Sequence, residues 1–136
     1  MILGFDPGRD KCGIALGDSN REIYDHQTIA SSEAITYIER LMARWEIELI
    51  VMGNLTTAGD WYERLQASFA DLNLRIEMVD ERNSTLEARD RYWQMYPPQG
   101  LQKLLPQGLR VPPRPIDDIV AILLIERYLS ANSQTI

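Results

Sequence analysis

This 136-residue chain has little of what marks several protein classes. Its single cysteine, Cys12, leaves no internal disulfide to form, so a reduced, cytoplasmic setting is expected. Long hydrophobic runs are missing. The longest strongly apolar stretch, residues 119–125, falls far short of the ~20 residues of a membrane-spanning helix. The opening residues MILGFDPG hold no basic segment followed by a long apolar one, so no secretory signal is expected. Positive charge is scarce too. Fourteen Lys and Arg face 20 Asp and Glu, for a net charge of −6. A protein that coats nucleic acid without specificity carries a basic footprint, and this chain as a whole does not. An acidic site ringed by local basic residues remains compatible with that total.

What is present fits one globular domain. The chain is 45% hydrophobic and 25% charged, and long enough for one core but not two. A single domain over residues 1–136 is expected. Residues 2–5, 12–16 and 22–29 read as three strands joined by short turns, hence an antiparallel meander. Ala34, Ile35, Ile38, Leu41, Met42 and Trp45 then recur at helical spacing, with Ser31 or Ser32 as a cap. Residues 48–53 form a continuous apolar strand suited to a parallel, doubly covered position. Residues 54–59 read as a loop. Trp61, Leu65, Phe69 and Leu72 mark a second helix, capped by Asp60. Residues 74–79 read as a fifth strand. Ser84-Thr85-Leu86-Glu87 spells a capping box that opens a third helix ending near Met95. Residues 96–115 hold six of the seven prolines and read as an irregular excursion. Residues 116–130 form a last helix, apolar over most of its circumference and therefore buried. A meander followed by two crossovers gives an α/β fold, a five-stranded mixed sheet flanked by helices. The ribonuclease H-like fold is the common solution.

Acidic residues fall at informative places. Asp6 ends the first strand, Asp80 and Glu81 end the fifth, and Asp117 and Asp118 open the last helix. Such positions can converge on one edge of a sheet. Hard divalent cations take oxygen ligands, and two-metal phosphoryl transfer needs several carboxylates. Each residue also has a plainer reading. Asp6 suits a turn before Pro7-Gly8, and Asp117 and Asp118 suit a helix N-terminus. Glu81 can pair with Arg82 or Arg89 at the surface.

As strings, ILGFDPGRDKCGIALGD, VDERNSTLEARDRYW and PIDDIVAILLIERYL resemble the YqgF (RuvX-type) family over most of the chain and in the expected order. These are RNase H-like nucleases, also called Holliday junction resolvases or pre-16S rRNA processing nucleases. The resemblance implies catalysis by Asp6, Glu81 and Asp117. It implies Mg²⁺ or Mn²⁺ in a two-metal site held by those residues, with Asp118 as a near alternative to Asp117. It also implies structured RNA or branched DNA as partner. A junction resolvase acts as a symmetric pair, so a homodimer joins the expectations. Asp10 stands where the family usually has a basic residue, and Gly53-Asn54-Leu55-Thr56-Thr57 replaces its usual Gly-Leu-Pro segment.

Between Arg82 and Arg114, six basic residues oppose only Glu87 and Asp90, a local +4. Tyr92, Trp93 and Tyr96 lie among them, a mixture suited to phosphate contact and base stacking. Arg9, Lys11, Arg82, Arg89, Arg91, Lys103 and Arg110 are the expected nucleic-acid contacts. Trp93 also lies at helical spacing from Leu86, which fits a core residue. His26 has no evident partner and reads as a surface or edge residue. Three functions compete. A metal-dependent nuclease leads. A catalytically weak or inactive nucleic-acid- or ribosome-binding module with the same fold comes second. An actin-like ATPase, with Asp6, Gly8 and Gly13 in its first motif, is disfavoured because such enzymes close two domains around the nucleotide.

Overall fold

The structure is a computed structural model and describes residues 1–55 and 57–133. Thr56, within the expected loop, and residues 134–136, the end of the expected domain, lie outside it. Five strands, β1 (Ile2–Asp6), β2 (Lys11–Gly17), β3 (Ile23–Ala30), β4 (Leu49–Gly53) and β5 (Arg75–Val79), form one sheet in the order β3-β2-β1-β4-β5. The β1–β2 and β2–β3 pairs are antiparallel, and the β1–β4 and β4–β5 pairs are parallel. The expected meander and crossovers are therefore present.

Alternation along the strands sorts side chains onto two faces. Leu3, Phe5, Ile14, Ile50 and Met52 pack with α1 (Ala34–Arg44) and α2 (Ala58–Ser68) through Ile38, Leu41, Trp61 and Leu65. Ile2, Ala15, Leu49 and Val51 face the other way, toward α3 (Ser84–Met95) and α4 (Asp117–Ser133). Helix α4 buries every residue from Ile119 to Ile125, as its apolar circumference requires. It lies close to the sheet because the strand positions under it carry no side chain. A Cβ at Gly4 would overlap the Ala121 carbonyl, and one at Gly13 would overlap the Asp117 carbonyl.

The helix starts differ from expectation. Ser31–Glu33 form a 3-10 turn before α1, and the Ser31 hydroxyl donates to the Gly8 carbonyl at 3.0 Å instead of capping the helix. Helix α2 begins at Ala58, which places Asp60 inside its first turn and not at its cap. Leu72 lies beyond α2 and is exposed. Ser84 is the first residue of α3, not its cap. The cap is Asn83, held at φ 61°, and no side chain bonds the helix end there. Ser84 is buried, which removes its hydroxyl from capping. The proline-rich excursion contains two 3-10 turns, Gly100–Leu104 and Gln107–Leu109.

Candidate active site

Three carboxylates meet where the first strand ends. Asp6 shares the α4 face of β1 with Gly4, and Gly13 is its register partner on β2. On the other side, Phe5 pairs with Met52, so Gly53 of β4 comes next beside Asp6. Two glycines thus flank Asp6, and each leaves room for a group from another element. The Asp117 backbone sits over Gly13. The Glu81 carboxylate occupies the space a Cβ would fill at Gly53. Glu81 is only 4% exposed, so it is not the surface partner of Arg82 or Arg89. The Asn54 side-chain carbonyl accepts from the Glu81 backbone N–H at 3.3 Å and fixes the chain after β5.

Asp6 hydrogen-bonds with both Glu81 and Asp117. Burial, the bonds to those two carboxylates and their charge push Asp6 up from 3.8 to about 9. Burial also raises Asp117, while Lys11 nearby and the bond to Asp6 lower it. Asp6 therefore holds a proton that its neighbours accept. Among the described residues, no three His, Cys, Asp or Glu side chains are preset around a common point for a metal ion. The donor set nevertheless fits Mg²⁺ or Mn²⁺. The three carboxyl groups are hard oxygen donors, Asp6 interacts with each of the other two, and the proton it holds is where a cation would supply positive charge.

Asp118 faces elsewhere. Its Oδ2 lies 2.7 Å from His26 Nδ1, and its Oδ1 accepts from Arg114 Nη1 at 2.9 Å and from the Thr28 hydroxyl at 3.3 Å. The bonds to His26 and Arg114 hold its carboxyl down at about 2 despite burial. His26, expected to be without a partner, is thus tied to α4, although β3 is indeed an edge strand. A cleft of about 520 Å³ runs along this network, with Lys11, His26, Thr28, Arg114 and Asp118 in its wall.

The turn after Asp6 is held from the opposite face. The Gly8 carbonyl accepts from Ser31 at 3.0 Å and from Trp61 Nε1 at 3.2 Å. Trp61 packs edge-on against Phe5 at 5.1 Å, and the Arg64 guanidinium stacks over the Trp61 ring at 3.9 Å. Among the expected nucleic-acid contacts, Arg9, Lys11, Arg82, Arg89 and Lys103 are exposed. Arg91 pairs with Glu126 at 3.1 Å. Arg110 donates to the Gln102 and Leu105 carbonyls at 2.9 and 3.0 Å. Both of these arginines are committed within the fold.

A family model described as RuvX, Holliday junction resolvase, matches residues 1–131. The chain belongs to the RuvX family. A Bordetella petrii relative, provisionally named a pre-16S rRNA nuclease, is 32% identical over 143 residues, covering 96% of this chain and 95% of its own. A Pseudomonas putida relative with the same provisional name is 28% identical over 150 residues, covering 98% and 96%. Two solved structures share the fold. Fowlpox virus resolvase, crystallised with substrate Holliday junction DNA, superposes with TM-score 0.62 at 11% identity, covering 96% of this chain and 97% of its own. Thermus thermophilus RuvC does so with TM-score 0.53 at 12% identity, covering 98% and 96%. The fold is RNase H-like, as expected. No helix among the described residues is long and apolar enough to cross a membrane.

Proposed function

We propose that this protein is a metal-dependent endonuclease that hydrolyses phosphodiester bonds in structured nucleic acid. Precursor rRNA in the cytoplasm is the first substrate class and branched DNA the second. The observation that carries the reading is the convergence of Asp6, Glu81 and Asp117 on the two side-chain-free positions Gly13 and Gly53. These three residues would hold Mg²⁺ or Mn²⁺, which when bound supplies water activation and stabilises the leaving oxygen. The chain itself supplies four things. The three carboxylates yield the proton they share. Gly53 keeps the Glu81 carboxylate seated. The Asp118–His26–Arg114 network fixes the first turn of α4 and hence Asp117. Exposed Arg9, Lys11, Arg82 and Arg89 provide phosphate contacts around the site. Asp118 has both oxygens occupied by these partners, so we assign it a positioning role.

One observation favours the second reading, a binding module without strong catalysis: the carboxylates bond to one another instead of forming a preset ligand cage. Calorimetric titration with Mg²⁺ or Mn²⁺ separates the two. Binding that disappears in Glu81→Gln supports the nuclease, and no binding at millimolar metal supports the module. Offering single-stranded RNA, rRNA precursor, linear DNA and a four-way junction then identifies the substrate. A junction substrate additionally calls for a homodimer, read from solution mass.

A further inference from the structure

The proline-rich excursion folds back on α3 and encloses a second cavity, of about 310 Å³, lined by Tyr92, Trp93, Tyr96, Pro97, Gln102 and Pro113. Its aromatic wall is continuous. Tyr92 meets Trp93 edge-on at 5.0 Å and Tyr96 at 5.1 Å, tilted by 41°. Trp93 Nε1 and Gln102 Oε1 are buried with no hydrogen-bond partner. Among the described residues these are the buried side-chain polar atoms left unsatisfied, and the two residues that carry them both line this one cavity. Trp93 is only 8% exposed. Buried polar groups rarely stay unpaired, so a donor in the aromatic wall and an acceptor on the Gly100–Leu104 turn call for a ligand with a complementary edge.

A nucleobase has that edge, together with a flat face for stacking on aromatic rings. The surroundings suit the attached phosphate. No acidic residue lies between Asp90 and Asp117, and Lys103 in that stretch is exposed, while its three arginines are held by Glu126, by backbone carbonyls and by Asp118. Arg114 connects the cavity to the carboxylates. Its guanidinium sits over Tyr92 at 5.4 Å and Tyr96 at 5.6 Å while it bonds Asp118, the residue after Asp117. We propose that this cavity is a subsite for one unstacked nucleobase of the bound strand. The assignment deepens the nuclease reading and rests on it for the strand's identity. Both polar atoms are closed to water. A base reaches them by lifting the Gly100–Leu104 turn, which carries Gln102 and buries none of its own residues.

The test follows the indole N–H signals of Trp45, Trp61 and Trp93 in ¹⁵N-labelled, metal-free protein, with Trp93→Phe assigning the third. The four ribonucleoside 5′-monophosphates are titrated in, with ribose 5-phosphate as the base-free control. The Trp93 signal is expected to move with at least one nucleotide and not with ribose 5-phosphate, while those of Trp45 and Trp61 stay in place. Gln102→Leu should weaken that binding about tenfold, the loss of one hydrogen bond. A Trp93 signal that ignores all four nucleotides, or responds equally to ribose 5-phosphate, overturns the subsite. Cleavage is not needed for this readout. A silent Trp93 in a protein that cleaves removes the subsite alone, whereas a responsive Trp93 in a protein that cleaves nothing keeps the subsite and removes the nuclease.

Discussion

Replacing Asp6 by asparagine should stabilise the metal-free protein while destroying its activity. Folding places Asp6 in contact with Glu81 and Asp117, and its carboxyl rises from 3.8 to about 9. The folded protein therefore holds a proton that the unfolded chain releases above pH 4. Each pH unit between the unfolded value and the working pH costs about 1.4 kcal/mol of stability. From 3.8 to pH 8 that sets a ceiling of about 6 kcal/mol. Partial solvent access at a half-buried carboxyl and side-chain relaxation reduce it to roughly 1–3 kcal/mol. The sign follows: wild type loses stability as pH climbs from about 4 toward 9, and none of this loss exists below pH 4. Asparagine is neutral, has the same shape, and its amide can donate to either neighbour. Urea unfolding in EDTA at pH 4 and pH 8 measures the difference. Asp6→Asn should match wild type at pH 4 and exceed it by about 1–3 kcal/mol at pH 8. An equal gap at both pH values, or a less stable variant at pH 8, refutes the electrostatic argument.

Other substitutions probe the remaining parts of the site. Gly53→Ala places a methyl group where the Glu81 carboxylate lies, so it should lower cleavage by about 100-fold while circular dichroism stays native. Asp118→Asn weakens the bonds to His26 and Arg114. Since the Asp118 carboxyl is held at about 2, against 3.8 unfolded, its stabilisation is present above pH 4 and lost as pH falls toward 2. The variant should therefore cost about 1–2 kcal/mol at pH 7 and almost nothing at pH 2 in urea titrations. Gly13→Ala pushes α4 off the sheet at the Asp117 carbonyl and should destabilise by about 2–4 kcal/mol, read from the urea midpoint.

Local patterns in the sequence are enough to find the strands, the crossovers and the acidic residues at element ends. Helix α4 shows why: its seven-residue apolar run admits only a buried position. The helix caps are not legible in local sequence, because tertiary contacts claim the same side chains. Ser31 turns to the Gly8 carbonyl, 23 residues away, and Ser84 is buried inside α3's first turn. His26 shows the same limit. Its partner Asp118 lies 92 residues along the chain, and neither neighbourhood hints at the other. The seats for Asp117 and Glu81 are glycines, whose missing side chains mean nothing until the sheet register sets Gly13 and Gly53 beside Asp6. The six basic residues between Arg82 and Arg114 read as one patch, yet Arg91, Arg110 and Arg114 are spent on internal bonds. Only the folded chain separates those from the exposed Arg82, Arg89 and Lys103.

Everything proposed for the site depends on the role of Asp6 in holding a catalytic metal. Its most direct test is the cleavage rate of wild type and Asp6→Asn, purified identically, on rRNA precursor and four-way junction in Mn²⁺. Wild type should cut at least one substrate, and EDTA should stop it. Asp6→Asn should be slower by about 1,000-fold or more, the loss expected when several kcal/mol of charge stabilisation disappear. Cleavage by Asp6→Asn at the wild-type rate would contradict the account.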